Sequence, residues 1–456
     1  MRHLIAVSLG LTAVLLLSSW TTAAALSTPV PSSTGVVEEG SLRGARYLIE
    51  IPAGWNGVLL LYSHGYTVPG RTPLQTDAPN RAVADRLLAR GYGLAGSSYS
   101  RQGWAVKQAL TDQVALVDLV AHRHQGLRST ILWGSSMGGL VTVTLAEREP
   151  RRFAGALSMC GAVAGGVAEW NQRLDAAFAL RTLLPSSPAP ALTGIADPAG
   201  NLLLARHRIA EAQGSPAGRA RIALAGAIAE LPGWGLPWAA RASTAEEVEQ
   251  AQYVSLQGDA AFFYARRAEL EHRAGGDPSW NTGVEYRNLL LRSRTAPAVR
   301  ELYARGGLSL DQDLNRLDRV PRIAAGPAAV SYLSSYASPA GTPRVPVLTM
   351  HDLGDGLVPA AEEQSYASAV AGTGRARLLR QLFVARSGHC TWTPAEQLVA
   401  LDELMARIHD GRWPGWTAAQ LNDRARATGL GLAVFTSERP GPWLRPYVPQ
   451  GQGRGT

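Results

Sequence analysis

The segment Trp133-Gly134-Ser135-Ser136-Met137-Gly138-Gly139 has the residue types and spacing for nucleophilic chemistry. It contains G-x-S-x-G with Ser136 at the centre. An apolar stretch, Thr130 to Gly134, leads into it, and a helical pattern, Leu140 to Glu147, leads out. A strand that becomes a helix across so few residues must turn tightly, and glycines leave room where the backbones approach. The hydroxyl then stands at the tip of the turn. The amides and positive end of the following helix favour negative charge developing beside it.

A serine hydroxyl attacks well only when a base takes its proton, commonly a histidine held by a carboxylate. Two later segments offer those groups. His351-Asp352-Leu353-Gly354-Asp355-Gly356-Leu357-Val358-Pro359 follows a strand-like run and carries two carboxylates, Asp352 and Asp355. Arg386-Ser387-Gly388-His389-Cys390 follows another strand-like run and carries His389 on a loop. The order serine, acid, histidine is the one that a strand–turn–helix nucleophile motif requires.

The elements that must position these residues alternate. Strands are expected at Arg46 to Ile51, Gly57 to Ser63, Tyr92 to Ser98, Thr130 to Gly134 and Phe153 to Met159. Helices are expected at Ala82 to Arg90, Val106 to His122 and Leu140 to Glu147. The alternation resumes with strands at Val345 to Met350 and Arg377 to Ala385 and helices at Pro359 to Val370 and Thr393 to Ile408. Such a pattern predicts an α/β fold with a mostly parallel central sheet flanked by helices. Between Gly161 and Gly341 the pattern is helical, broken by Pro- and Gly-rich turns, and predicts an insertion over the carboxyl edge of the sheet.

Over about residues 45–160 and 340–410 these motifs resemble the α/β-hydrolase superfamily. That family commonly carries His-Gly-x-x-Asp-x-x-Val-Pro after the strand bearing its acid. The resemblance assigns the acid to Asp355, with Asp352 standing where the family usually has Gly. It makes His389, which follows Gly388, the base for Ser136. It also implies an oxyanion hole built from two backbone amides, those of Met137 and of Tyr66 in Ser63-His64-Gly65-Tyr66. His64 is expected to brace that loop, and His351 to be structural. The helical insertion resembles a family cap. The implied organisation is a signal peptide at 1–25, a flexible leader at 26–40, the hydrolase core at 41–160 and 341–410, the cap at 161–340, and an irregular C-terminal wrap at 411–456.

The remaining features bound the function. Of 456 residues 46% are apolar, 18% are charged and 48 are Gly, which excludes a coiled coil, a collagen and a wholly disordered chain. The net charge of +8 comes almost entirely from scattered Arg, with Lys107 the only lysine, and forms no nucleic-acid footprint. Met1-Arg2-His3, the apolar run Leu4 to Leu17 and Ala23-Ala24-Ala25 have the layout of a secretory signal peptide cleaved near Ala25. The run is too short for stable membrane insertion. In an oxidising compartment Cys160 and Cys390 form an even pair, and both fall at the carboxyl edge of the sheet, so a disulfide that restrains the His389 loop is expected. No metal site, dinucleotide fingerprint or phosphate loop stands out, so no cofactor is expected. Trp104, Trp170, Asn171, Trp280, Asn281 and Tyr286 are candidates for either pocket lining or core packing.

The expectation is a secreted serine hydrolase that cleaves small-molecule or polymeric carboxylic esters through a Ser136-Asp355-His389 triad and an acyl-enzyme. A peptidase or amidase of the same fold is the alternative, and a binding protein on an inactive hydrolase scaffold a third reading. Nothing in the sequence specifies an oligomeric state.

Overall fold

The computed structural model describes residues 34–72, 75–237 and 239–447. The segment read as a signal peptide lies outside them. The described chain is built on one nine-stranded sheet of order β1-β2-β4-β3-β5-β6-β7-β8-β9. The strands are β1 (Thr34–Leu42), β2 (Ala45–Pro52), β3 (Val58–Ser63), β4 (Gly93–Ser97), β5 (Ser129–Ser135), β6 (Gly155–Met159), β7 (Val347–Gly354), β8 (Leu379–Ser387) and β9 (Phe435–Thr436). Strands β4, β3, β5, β6, β7 and β8 run parallel, while β1, β2 and β9 add antiparallel pairings at the margins.

The apolar runs of the central strands are buried on both faces, as parallel sheets demand. In β3, Leu59 and Leu61 join one core cluster and Leu60 and Tyr62 the other. Helices α2 (Val106–Arg123) and α3 (Met137–Arg148) cover the first face through Val117, Leu140 and Val141. Helix α1 (Arg81–Ala89) and the helix Pro394–Asp410 cover the second through Leu87, Leu398 and Leu401.

Ten helices lie between β6 and β7 among the described residues, opening with α4 (Gly166–Leu183) and closing with the helix Pro327–Ala337. They form the cap and hold an apolar cluster of their own, including Phe178, Ile222, Leu224, Tyr286 and Leu302.

Two stretches differ from the sequence expectation. The expected leader is in part a strand, because β1 pairs with β2 from Thr34 onward. Arg43 and Gly44, both at positive φ (52° and 86°), make the two-residue turn between them. Turns of that kind match the strand twist, and Asn-Gly or Asp-Gly is their usual signal, so Arg43 concealed this one. The expected irregular tail contains the helix Ala418–Thr428, started by a capping box between Thr417 and Gln420, and the short strand β9. Trp413 and Trp416 pack beside it against the second core face.

Candidate active site

Ser136 is the hinge between β5 and α3. Its backbone has φ 59° and ψ −127°, a conformation that side chains other than glycine rarely adopt. The glycines around it are required by contact. A Cβ at Gly138 would collide with the carbonyl oxygen of Ser63, and one at Gly134 with the backbone of Gly138. The turn is fixed from outside as well, since Ser136 N–H donates to the Met159 carbonyl at 2.9 Å.

The structure brings Ser136, His389 and Asp355 together. His389 Nε2 lies 2.8 Å from Ser136 Oγ, and His389 Nδ1 lies 2.7 Å from Asp355 Oδ2. The other carboxylate oxygen of Asp355 accepts from the backbone N–H groups of Leu357 and Val358, each at 2.9 Å. Burial alone would raise the pKa of Asp355, but the neighbouring His389 and His351 imidazoles bring it down to about 2. Asp352 is turned elsewhere. One of its oxygens accepts from Thr391 N–H at 2.9 Å and Thr391 Oγ1 at 3.2 Å, so it holds the far side of the His389 loop.

His351 is fully buried behind the acid, with Nδ1 3.0 Å from Glu363 Oε1 and Nε2 2.8 Å from the Val358 carbonyl and 3.4 Å from Asp355 Oδ2. Burial would lower its pKa, yet its bonds to Asp355 and Glu363 outweigh that and raise it well above the usual histidine value. Both ring nitrogens thus face acceptors, an arrangement that suits a protonated imidazole.

Two devices hold the loop that carries His389. Arg386 and Glu396, both fully buried, form a two-pronged ion pair at 2.6 and 2.9 Å, and Arg386 also donates to the Thr391 carbonyl at 2.8 Å. A disulfide joins Cys160, just past β6, to Cys390, with Cα atoms 5.5 Å apart. Cys160, His389 and Cys390 bring three metal-ligand atoms within 4.8 Å of one another, but both sulfurs belong to that bridge.

Ser136 opens into a narrow cavity of about 10 Å³, room for roughly one water. Tyr66 and Met137 line it, together with Trp104, Phe262, Glu169 and Arg173. His64 braces the loop before Tyr66: its ring stacks on Tyr99 at 4.0 Å, and Tyr99 Oη donates to its carbonyl at 2.9 Å. A larger cleft of about 390 Å³ reaches Asp355 between Trp234 and Arg241 of the cap and Glu438 and Pro440 of the tail.

The aromatic candidates divide. Trp104 lines the cavity and Trp170 packs edge-on behind it at 5.5 Å. Asn171 accepts from Trp280 N–H, and Asn281 binds both Ile323 N–H and Tyr286 Oη, so these four residues brace the cap instead. Glu169, Arg173 and Phe262 were not singled out by sequence. The only trace was the i, i+4 spacing of Glu169 and Arg173, which is commonplace in an Arg-rich chain.

Comparison with known proteins finds the following similarities. Residues 88–203 match the family model described as serine aminopeptidase, S33. An o-phthalyl amidase from Xanthobacter agilis is 28% identical over 427 residues, covering 85% of this chain and 90% of that protein. Among solved structures, an esterase from Aspergillus oryzae aligns with a TM-score of 0.40 and 12% identity over 83% of this chain and 80% of its own. An esterase from Pyrococcus furiosus aligns with a TM-score of 0.38 and 10% identity over 88% of this chain and 97% of its own. With its mostly parallel sheet, its serine turn between β5 and α3 and its helical cap, the chain has the α/β-hydrolase fold.

Proposed function

We propose that the protein is a secreted serine hydrolase that cleaves carboxylic esters and amides through an acyl-enzyme on Ser136. The observation that carries this reading is the unbroken chain of contacts from Ser136 Oγ through both nitrogens of His389 to Asp355. His389 Nε2 takes the hydroxyl proton as Ser136 Oγ attacks the acyl carbon. Asp355 orients the ring and stabilises the imidazolium. The N–H groups of Met137 and Tyr66 receive the oxyanion. His389 then protonates the leaving alcohol or amine, and the acyl group stays on Ser136. Water attacks that acyl-serine with His389 as base, and the proton returns to Ser136 Oγ as the acid departs. Export is supported by the signal-like start of the chain and by the Cys160–Cys390 bridge.

Ester cleavage is the less demanding of the two reactions, because an alcohol leaves more readily than an amine. The amide reading is favoured by the o-phthalyl amidase relative, which aligns along most of both chains. On that reading the amides are those of small aromatic acids.

The test is a panel of 4-nitrophenyl esters, 4-nitroanilides and phthalyl amides given to purified mature protein, beside a serine-directed phosphonate. Ser136→Ala is expected to lower kcat by about 10⁴-fold or more and to abolish labelling. Undiminished turnover or labelling of that variant overturns the reading.

A further inference from the structure

The line of contacts that ends at Ser136 Oγ can be followed back beyond Asp355, through a peptide unit and into the cap. Helix α4 is buried along almost its whole length, and its entry is docked on the core, where Ala164 N–H donates to Glu362 Oε2 at 3.0 Å. Glu169 and Arg173 stand one turn apart on this helix, each with its side chain 1% exposed. Arg173 Nη1 meets Glu169 Oε1 at 2.6 Å, and Arg173 Nη2 donates to the Leu357 carbonyl at 3.0 Å. That carbonyl shares a peptide unit with the N–H of Val358, which donates to Asp355 Oδ1 at 2.9 Å. The Val358 carbonyl in turn lies 2.8 Å from His351 Nε2. Leu357 and Val358 are thus held at their carbonyls by Arg173 and His351, while both of their N–H groups face the acid.

The grip matters because Asp355 comes one residue after the end of β7, where the sheet ladder no longer fixes the backbone. The peptide that aims its N–H at Asp355 keeps that aim only while its carbonyl is held. A cation on the carbonyl oxygen also polarises the amide and strengthens the bond that its N–H donates. A buried ion pair is weak evidence for stability, because desolvation offsets the attraction, so stabilising the cap is a poor account of Arg173. Arg173 also lines the Ser136 cavity, and a cavity wall is the rival role. Its signature would be a change in KM rather than in kcat.

We infer that Arg173 is a positioning residue for Asp355. Through the Leu357–Val358 peptide it fixes the acid that orients His389, so the reactivity of Ser136 depends on a side chain of the cap. This rests on the reading of Ser136, His389 and Asp355 as a triad and extends that triad's support into α4.

R173M alone would leave Glu169 an unpaired buried charge, so it is made together with E169Q. The double variant is expected to lower kcat on a 4-nitrophenyl ester by about 10- to 100-fold with KM within about threefold of the wild type. R173K, which keeps the charge but loses the planar fork, is expected to fall between the two. Proton NMR without substrate reads the strongly downfield proton between His389 Nδ1 and Asp355, and this signal is expected to weaken or move in the double variant. R267Q is the control. Arg267 is another buried cap arginine, but it donates to the Trp170 carbonyl and to Ser279 Oγ, each at 3.0 Å, rather than to the acid loop. R267Q is expected to lower the melting temperature and to leave kcat and the proton signal in place. A double variant with a native melting profile overturns the inference if its kcat is that of the wild type, if its proton signal is unmoved, or if its loss is confined to KM. If the double variant does not fold, R173K decides. A kcat lowered about threefold or more at constant KM then supports the inference, and wild-type kcat overturns it. Turnover undiminished by the double variant removes the inference and leaves the acyl-transfer reading standing. Absence of wild-type turnover on every ester and amide, with the proton signal lost in the double variant, removes the acyl-transfer reading and leaves Arg173 as the holder of Asp355.

Discussion

At the residue scale, Asp352 and Asp355 look alike in sequence and do opposite things in space. Asp355 faces His389 and is kept ionised by the imidazoles beside it, whereas Asp352 faces Thr391 and burial pushes its carboxyl well above the usual range. Asp355→Asn is therefore expected to lower kcat by about 10⁴-fold, because an amide there favours the wrong imidazole tautomer. Asp352→Asn, which disturbs only the loop behind the base, is expected to cost on the order of tenfold. Steady-state kinetics on the two variants with one activated ester checks both values. The pairing of Asp355 with His389 was legible through a resemblance in spacing. The contact between His351 and Glu363 was not, because Glu363 lies twelve positions away and on a different element.

At the scale of elements, the turn between β5 and α3 was the most legible feature, because glycines at fixed offsets are dictated by backbone collisions rather than by distant packing. The hairpin of β1 and β2 and the tail helix Ala418–Thr428 were hidden for the converse reason. One turns on an arginine at positive φ, and the other is short, only two of its residues, Leu421 and Ala425, being buried. The element that presents His389 is a loop, and loops do not hold a side chain by hydrogen bonds of their own. Its position comes from the Arg386–Glu396 pair and from the bridge to Cys160. The double variant Cys160→Ser, Cys390→Ser is expected to lose about 2–5 kcal/mol of stability. It is also expected to lose kcat more than it gains in KM, since the disturbed loop carries His389. Denaturant unfolding and steady-state kinetics on non-reduced protein read the two effects separately.

At the scale of the whole molecule, buried contacts help to fasten cap, core and tail to one another. Arg445 in the tail donates to the Trp280 carbonyl and pairs with Asp175 of α4, and Trp443 and Leu444 are buried. Glu230 at the end of a cap helix accepts from Leu444 N–H at 2.7 Å, and burial pushes its carboxyl up to about 8. A raised acid contributes stability that is fully present below its unfolded pKa of about 4.5 and is lost as pH rises through about 8. Glu230→Gln keeps an acceptor for Leu444 and removes that loss. Its melting temperature is expected to match the wild type near pH 4 and to exceed it by roughly 2–4 °C at pH 9, read by calorimetric scans at the two values. The covalent tie between Cys160 and Cys390 has a consequence at this scale too. It spans 230 positions, and the entire cap lies inside that span. A protease that nicks the cap therefore leaves a single molecule, in which the fragment bearing Ser136 cannot drift from the fragment bearing His389.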